Sequence, residues 1–349
     1  MVHDRVTQTD IAARAGVSVG VVSRVLSGRG DVSQQTRARV MRIARELGYV
    51  RGAEPRGRPA SSPGNVVELA LDGFDGSWGL EVVAGASRAA TKRGLDLVLV
   101  AERDEPGDDW AERVRDRRSL GVVTGLMTPT RQQLEMLRDA AIPLVVLDPR
   151  TDPPLSVPTV AAANREGGAK AARHLLKLGH RDLLVVTGAP AYRFGRERAR
   201  GFIAQVERTD GRRVDSLAVG WSAAEARDGV LPAMRERAAS GRPLAVFCTS
   251  DLFAAGVMRA AGAAGLSIPR DVSVVGFDDM PAFRRLSPAL TTVRQPIREM
   301  AGAAVELLAE MIDARTLDLP GREIATELLV RRSTAAPGGD VSREGSRQS

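Results

Sequence analysis

Between residues 19 and 27 the sequence VGVVSRVLS sets Val19, Gly20, Ser23, Arg24 and Ser27 at the spacing of one exposed helical face. Arg24 is the one residue of that face able to pair bidentately with guanine O6 and N7; Val19 can touch a thymine methyl, and Gly20 offers no side chain. Such a face reads base edges and makes or breaks no bond. Residues for bond-making chemistry are scarce elsewhere. A single cysteine, Cys248, has no internal disulfide partner, and histidines 3, 174 and 180 form no ligand spacing, so neither a metal nor another cofactor is expected. No strand leads into a glycine-rich dinucleotide or phosphate loop or a nucleophile elbow, so catalysis is not expected.

The elements that must hold that face are three short helices. Thr7 and Asp10 make a capping-box-like start for DIAARA, which stops at Gly16; Ser18 can cap the second helix through about Leu26, and Ser33 the third, running to Gly48. Ile11, Ala15, Val17, Val22, Val25, Leu26, Val40, Ile43 and Leu47 recur at helical spacing and supply one small core. Residues 1–60 carry eleven arginines against five acids, so nearly all of the chain's net charge of +7 lies in its first sixth. A small basic module of this kind suits phosphate neutralisation; the plainer alternative is an ordinary three-helix bundle.

Residues 51–64, RGAEPRGRPASSPG, hold Pro55, Pro59 and Pro63 and no apolar period, which predicts a linker. From Val66 to about Val330 short β-rich runs such as VVELAL, IPLVVLD, DLLVVTG, LAVFCTS and VSVVGFDD alternate with helical stretches. That alternation predicts an α/β fold of two parallel-sheet lobes with ligand chemistry at the carboxyl ends of the strands. The expected organisation is residues 1–50 as a helix-turn-helix domain, 51–64 as linker and 65–335 as the two-lobed domain. Its lobes are expected at about 65–160 plus 293–325, and 161–292, with a disordered tail over 336–349. No charge-free run is long enough for a membrane span, and the start MVHDRVTQTD has no signal-peptide character, so a cytoplasmic protein is expected.

The stretch VTQTDIAARAGVSVGVVSRVLSGRGDVSQQTRARVMRIARELGY resembles the DNA-binding domain of the LacI/GalR repressors. The resemblance continues through NREGGAKAARHLLKLGHRDLLVVTG, RERARGFIAQ, LAVFCTSDLFAAGVMRAAGAAGLSIPRDVSVVGFDDMP and SPALTTVRQPIREMA, covering Val6 to about Leu308. It implies a helix-turn-helix joined to a two-lobed domain of the periplasmic-binding-protein kind. It further implies a homodimer on double-stranded operator DNA, acting as a transcriptional repressor under a small-molecule effector, commonly a carbohydrate. Base contacts fall to Val19, Gly20 and Arg24, with Ser27 on the same face, and phosphate contacts to Thr7, Ser18, Ser23, Ser33, Thr36 and Tyr49. Effector contacts fall to Trp78, Asp148, Arg198, Trp221, Ser250 and Asp278, donors and acceptors around an aromatic face as a polyol requires. Each has a purely structural alternative: a surface arginine, a capping aspartate, a core tryptophan. The two-lobed part alone would equally suit a solute-binding protein with no DNA role.

The sequence departs from the family at three places. Pro55, Gly57, Pro59 and Pro63 oppose the usual hinge helix and Arg58 stands near its wedging leucine, so Arg56 and Arg58 are expected instead as a basic arm in a narrow minor groove. Val21 replaces a threonine on the phosphate side. Ser250 replaces an asparagine in the effector site.

Overall fold

The computed structural model describes residues 8–27, 32–47, 64–74, 76–102, 109–154, 156–210 and 214–338. The chain divides near residue 61 into two compact units. In the first, α1 (Gln8–Ala15), α2 (Val19–Ser27) and α3 (Gln34–Glu46) surround a core of Ile11, Ala12, Ala15, Val22, Val25, Val40, Ile43 and Ala44. Gly16, at φ 64°, takes the left-handed conformation that ends α1 and lets α2 turn away. Ser18 Oγ accepts from the Val21 amide at 3.4 Å and Ser33 Oγ from the Thr36 amide at 3.3 Å, so both serines satisfy helix-start donors. Val21, where the family's hydroxyl would stand, is half-buried against this core, so it packs the bundle.

The second unit begins with β1 (Val66–Leu71), α4 (Ser77–Lys92), β2 (Asp96–Ala101), α5 (Trp110–Arg117), β3 (Gly121–Gly125), α6 (Arg131–Asp139), β4 (Leu144–Leu147) and β5 (Thr159–Ala162). It continues through α7 (Asn164–Lys177), β6 (Leu183–Thr187), α8 (Arg193–Asp210), β7 (Asp215–Ala218), α9 (Ala223–Ser240), β8 (Leu244–Cys248), α10 (Asp251–Ala263) and β9 (Val272–Asp278). A 3₁₀ turn at Pro281–Phe283 precedes β10 (Thr291–Arg294), α11 (Ile297–Ala314), β11 (Arg322–Ile324) and β12 (Glu327–Leu329).

Two six-stranded sheets result, ordered β11-β5-β4-β3-β1-β2 and β12-β10-β9-β8-β6-β7, parallel throughout except for β12. Runs such as LAVFC in β8 are buried at every residue because helices cover both faces. The chain passes from the first sheet to the second after β5, returns after β10, and passes over again between β11 and β12. Pattern reading singles out no helix over residues 223–240, where Pro232 interrupts the sequence; α9 forms regardless, started by the Ser222 hydroxyl accepting from the Glu225 amide at 3.0 Å. Among the described residues no helix is long and apolar enough to cross a membrane.

One close packing positions the cleft. A Cβ at Gly168 of α7 would lie 2.0 Å from the Arg198 carbonyl oxygen, and one at Gly201 of α8 would lie 1.9 Å from that of Arg165. Only glycine at both positions lets α7 and α8 cross this tightly, and the crossing fixes Arg198.

Candidate functional site

In the N-terminal unit the solvent face of α2 presents Val19, Gly20, Ser23 and Arg24 together, with Ser18 exposed at its start. Arg24 Nε donates to the Gly20 carbonyl one turn back at 3.3 Å, laying the side chain along that face. Ser33 Oγ donates to Thr36 Oγ1 at 2.9 Å, pairing two of the expected phosphate ligands at the start of α3. Ser27 ends α2. Thr7, Tyr49, Arg56 and Arg58 lie outside the described residues, as does the expected tail beyond Gly338.

In the second unit the parallel strands end along one edge of each sheet, and Gln295 ties the two edges together. Its Nε2 donates to Asp148 Oδ2, just past β4, at 3.0 Å, while its Oε1 accepts from Arg198 Nη2 of α8 at 3.0 Å. Arg198 is 2% exposed. Its Nε donates to Asn164 Oδ1 at 2.8 Å, and its Nη1 donates both to the Thr249 carbonyl and to Asp278 Oδ1, each at 2.8 Å. One flank of the guanidinium lies 3.8 Å from the Phe277 ring centre, and Phe194 stands 5.3 Å away. The Ser250 hydroxyl donates to Asp278 Oδ2 at 3.0 Å, and Ser250 also caps α10 by accepting from the Leu252 amide.

Four of the six effector candidates, Asp148, Arg198, Ser250 and Asp278, thus form one bonded cluster with Asn164, Thr249 and Gln295, which sequence reasoning missed. The signal available for Gln295 was its place between β10 and α11, where the chain changes sheets. Backbone strain marks the same edge: Leu126, Asp148 and Asp278 adopt φ values of 52°, 46° and 113°. Burial pushes the Asp148 and Asp278 carboxyls above their ordinary range against the pull of Arg198. Asp251, buried at the start of α10 and accepting from Thr292 Oγ1 and the Met280 amide, is pushed up to about 8 by burial and then by the neighbouring Asp278.

The two tryptophans lie apart. Trp221, 47% exposed, covers the end of β6 so closely that a Cβ at Gly188 would meet its ring at 2.9 Å. Tyr192, Phe194 and Phe253 pack around it, with ring centres at 5.1, 5.7 and 5.1 Å. Trp78 is half-buried in the first lobe against Gly125 at the end of β3, where an added Cβ would lie 3.1 Å from the indole. At the rim the lobes are joined again: the Arg193 amide donates to the Arg150 carbonyl at 2.7 Å, and Asp152 pairs with Arg193 at 3.2 Å and Arg196 at 2.5 Å. The arrangement can take up a small polar molecule between strand ends, with an aromatic wall on the second lobe.

Residues 7–52 match the profile of bacterial regulatory proteins of the lacI family, and residues 172–334 that of a periplasmic binding protein-like domain. The HTH-type transcriptional regulator MalR of Streptomyces coelicolor is 35% identical over 96% of this chain and 98% of its own length. The HTH-type transcriptional repressor PurR of Pectobacterium carotovorum is 30% identical over 94% of this chain and 97% of its own. Among solved structures, the complex of the transcriptional regulator CelR with cellobiose superimposes with a TM-score of 0.64 at 29% identity, covering 94% of this chain and 100% of that one.

Proposed function

This chain belongs to the lacI family of bacterial regulatory proteins, DNA-binding regulators of transcription, and on that premise we propose a homodimeric, cytoplasmic repressor whose operator affinity is set by a small sugar-like effector. The observation that carries the DNA role is the exposed α2 face of Val19, Gly20, Ser23 and Arg24 in a strongly basic segment. On this reading α2 enters the major groove with Val19, Gly20 and Arg24 on base edges and Ser27 beside them. Thr7, Ser18, Ser23, Ser33, Thr36 and Tyr49 hold phosphates, and Arg56 and Arg58 follow the minor groove.

The proposed domain limits are 1–50 for DNA binding, 51–64 for the linker and 65–335 for effector binding and dimerisation. The effector sits where Trp78, Asp148, Trp221, Ser250 and Asp278 surround the Arg198 cluster, and binding there is the whole of the site's chemistry: the protein has no turnover and no cofactor. The cellobiose complex of a similar regulator supports a carbohydrate ligand. The test is a titration of fluorescent DNA from the chain's own upstream region with the full-length protein. Specific binding that a sugar weakens or strengthens is expected, and a chain that binds this DNA no better than random duplex contradicts the reading.

A further inference from the structure

We infer that the second lobe carries a further ligand site, remote from the effector cleft, where Arg237, Arg242 and Arg270 take the phosphate group of a small phosphorylated metabolite. Nothing in this site depends on what the cleft binds.

The site is a cavity of about 570 Å³ at the edge of the second sheet where its strands begin. That size falls within the roughly 300–1,000 Å³ of small-molecule pockets, so the cavity admits a phosphate together with the body of the molecule that carries it. The loop from α9 into β8 forms one wall and the loop from α10 into β9 the other. From here β8 runs toward Ser250 and β9 to Asp278 in the effector cluster, a span of about 20 Å at about 3.3 Å per residue. The two sites therefore share no side chain.

The charge is one-sided. Of the charged residues lining the cavity, three are arginines and one, Asp271, is acidic; the rest of the lining is apolar or glycine. Asp182 offers a single oxygen to two of the arginines: its Oδ2 accepts from Arg237 Nη1 at 2.8 Å and from Arg242 Nη2 at 2.6 Å. Two guanidinia drawn onto one carboxylate keep a net positive charge between them. Arg270 is held by its neighbours, with Nε and Nη2 donating to the two oxygens of Asp271 at 3.1 and 3.0 Å and Nη2 also to Ser267 Oγ at 3.2 Å. This leaves Nη1 of Arg270 and every N–H of Arg242 but one without a bond among the described residues, on side chains that are 64% and 65% exposed.

Helices α9 and α10 both end at this cavity, and helix C-terminal carbonyls repel anions. Here those carbonyls are engaged: the Gly241 amide donates to the Arg237 carbonyl at 3.0 Å, Gly265 to Gly262 at 3.1 Å and Leu266 to Ala261 at 2.9 Å. The arginines set the sign of the site. A carboxylate brings two oxygens and one charge, whereas a phosphate monoester brings three oxygens and close to two charges, one oxygen for each guanidinium.

The test is calorimetric titration of the full-length protein with glucose 6-phosphate, ribose 5-phosphate and inorganic phosphate at about 0.15 M ionic strength, where exposed charges more than about 8 Å apart are screened. Saturable binding of a sugar phosphate, tighter than that of inorganic phosphate, is expected. It weakens at least about tenfold in Arg242→Gln and in Arg270→Gln, with part of the affinity kept in Arg270→Lys. Both side chains are largely exposed, so these variants keep the parent melting temperature and the parent affinity for upstream DNA. Sugar-phosphate binding that is unchanged in both glutamine variants overturns the assignment, as does the absence of binding by all three probes. Inorganic phosphate binding as tightly as the sugar phosphates overturns the metabolite as the ligand, and none of these results touches the operator reading.

Discussion

Arg198 and Asp278 are joined by a single 2.8 Å bond from Nη1 to Oδ1, at the end of a strand whose last residue is held at φ 113°. The pair is the centre of a larger arrangement in which one buried cation organises acceptors from both lobes. Arg198→Ala strands a buried carboxylate, a change that destabilises by about 3–5 kcal/mol where such pairs are broken. Lysine lacks the planar fork and cannot replace four directed bonds, so Arg198→Lys recovers only part of the loss. Urea unfolding reads the stability change. Effector response is lost in both variants, while binding of upstream DNA at low temperature stays near that of the parent protein; a Lys variant with full stability and full response would detach Arg198 from the role given to it.

The α7–α8 crossing makes a second prediction. Gly201→Ala places a methyl 1.9 Å from a backbone carbonyl that cannot swing aside, so the helices separate and Arg198 moves with α8. Overpacking of this kind costs roughly 1–3 kcal/mol. Gly262→Ala, where an added Cβ meets nothing within 4 Å, is the control and leaves stability unchanged or slightly raised. Equal melting temperatures for the two variants would contradict the close crossing.

Asp251 gives the pH dependence a sign. Its carboxyl is pushed from the usual 3.8 up to about 8, so the folded chain holds a proton that the unfolded chain has lost over that interval. Stability from this group is fully present below about pH 4 and is lost as pH rises through about 8; Asp148 and Asp278, also raised, act in the same direction. The melting temperature should therefore fall between about pH 4 and 8. Asp251→Asn, which keeps one acceptor for Thr292 or Met280 and carries no charge, flattens that fall. A parent protein whose melting temperature rises over the same range would contradict the assignment.

Much of this is legible in the residue pattern. Periodicity gave the three helices and their core because an amphipathic bundle writes its burial directly into spacing, and α/β alternation gave the paired parallel sheets. The cleft was legible in part. Arg198 stood out by resemblance, yet RERARGF contains three arginines and nothing in their spacing says that one of them is 2% exposed and bonded to four partners. That fact depends on Gly168 and Gly201, which are far from Gln295 and Asp278 in the chain. Asn164 and Gln295 escaped notice because each lies at a crossing between sheets, where no period identifies a side chain. Val21 reads as the loss of a hydroxyl on the phosphate side, and its side chain lies half-buried against the bundle core.

Fluorescence anisotropy of the full-length protein on its own upstream DNA shows whether α2 reads DNA through Arg24. Parent and Arg24→Ala proteins are titrated against that DNA and against random duplex at several salt concentrations. Steep salt dependence of the parent on both duplexes is expected, with an Arg24→Ala loss of about 1–3 kcal/mol on the upstream DNA alone. Equal losses on both duplexes would make Arg24 a phosphate contact, and a parent protein that fails to distinguish the duplexes at any salt would contradict DNA reading by α2.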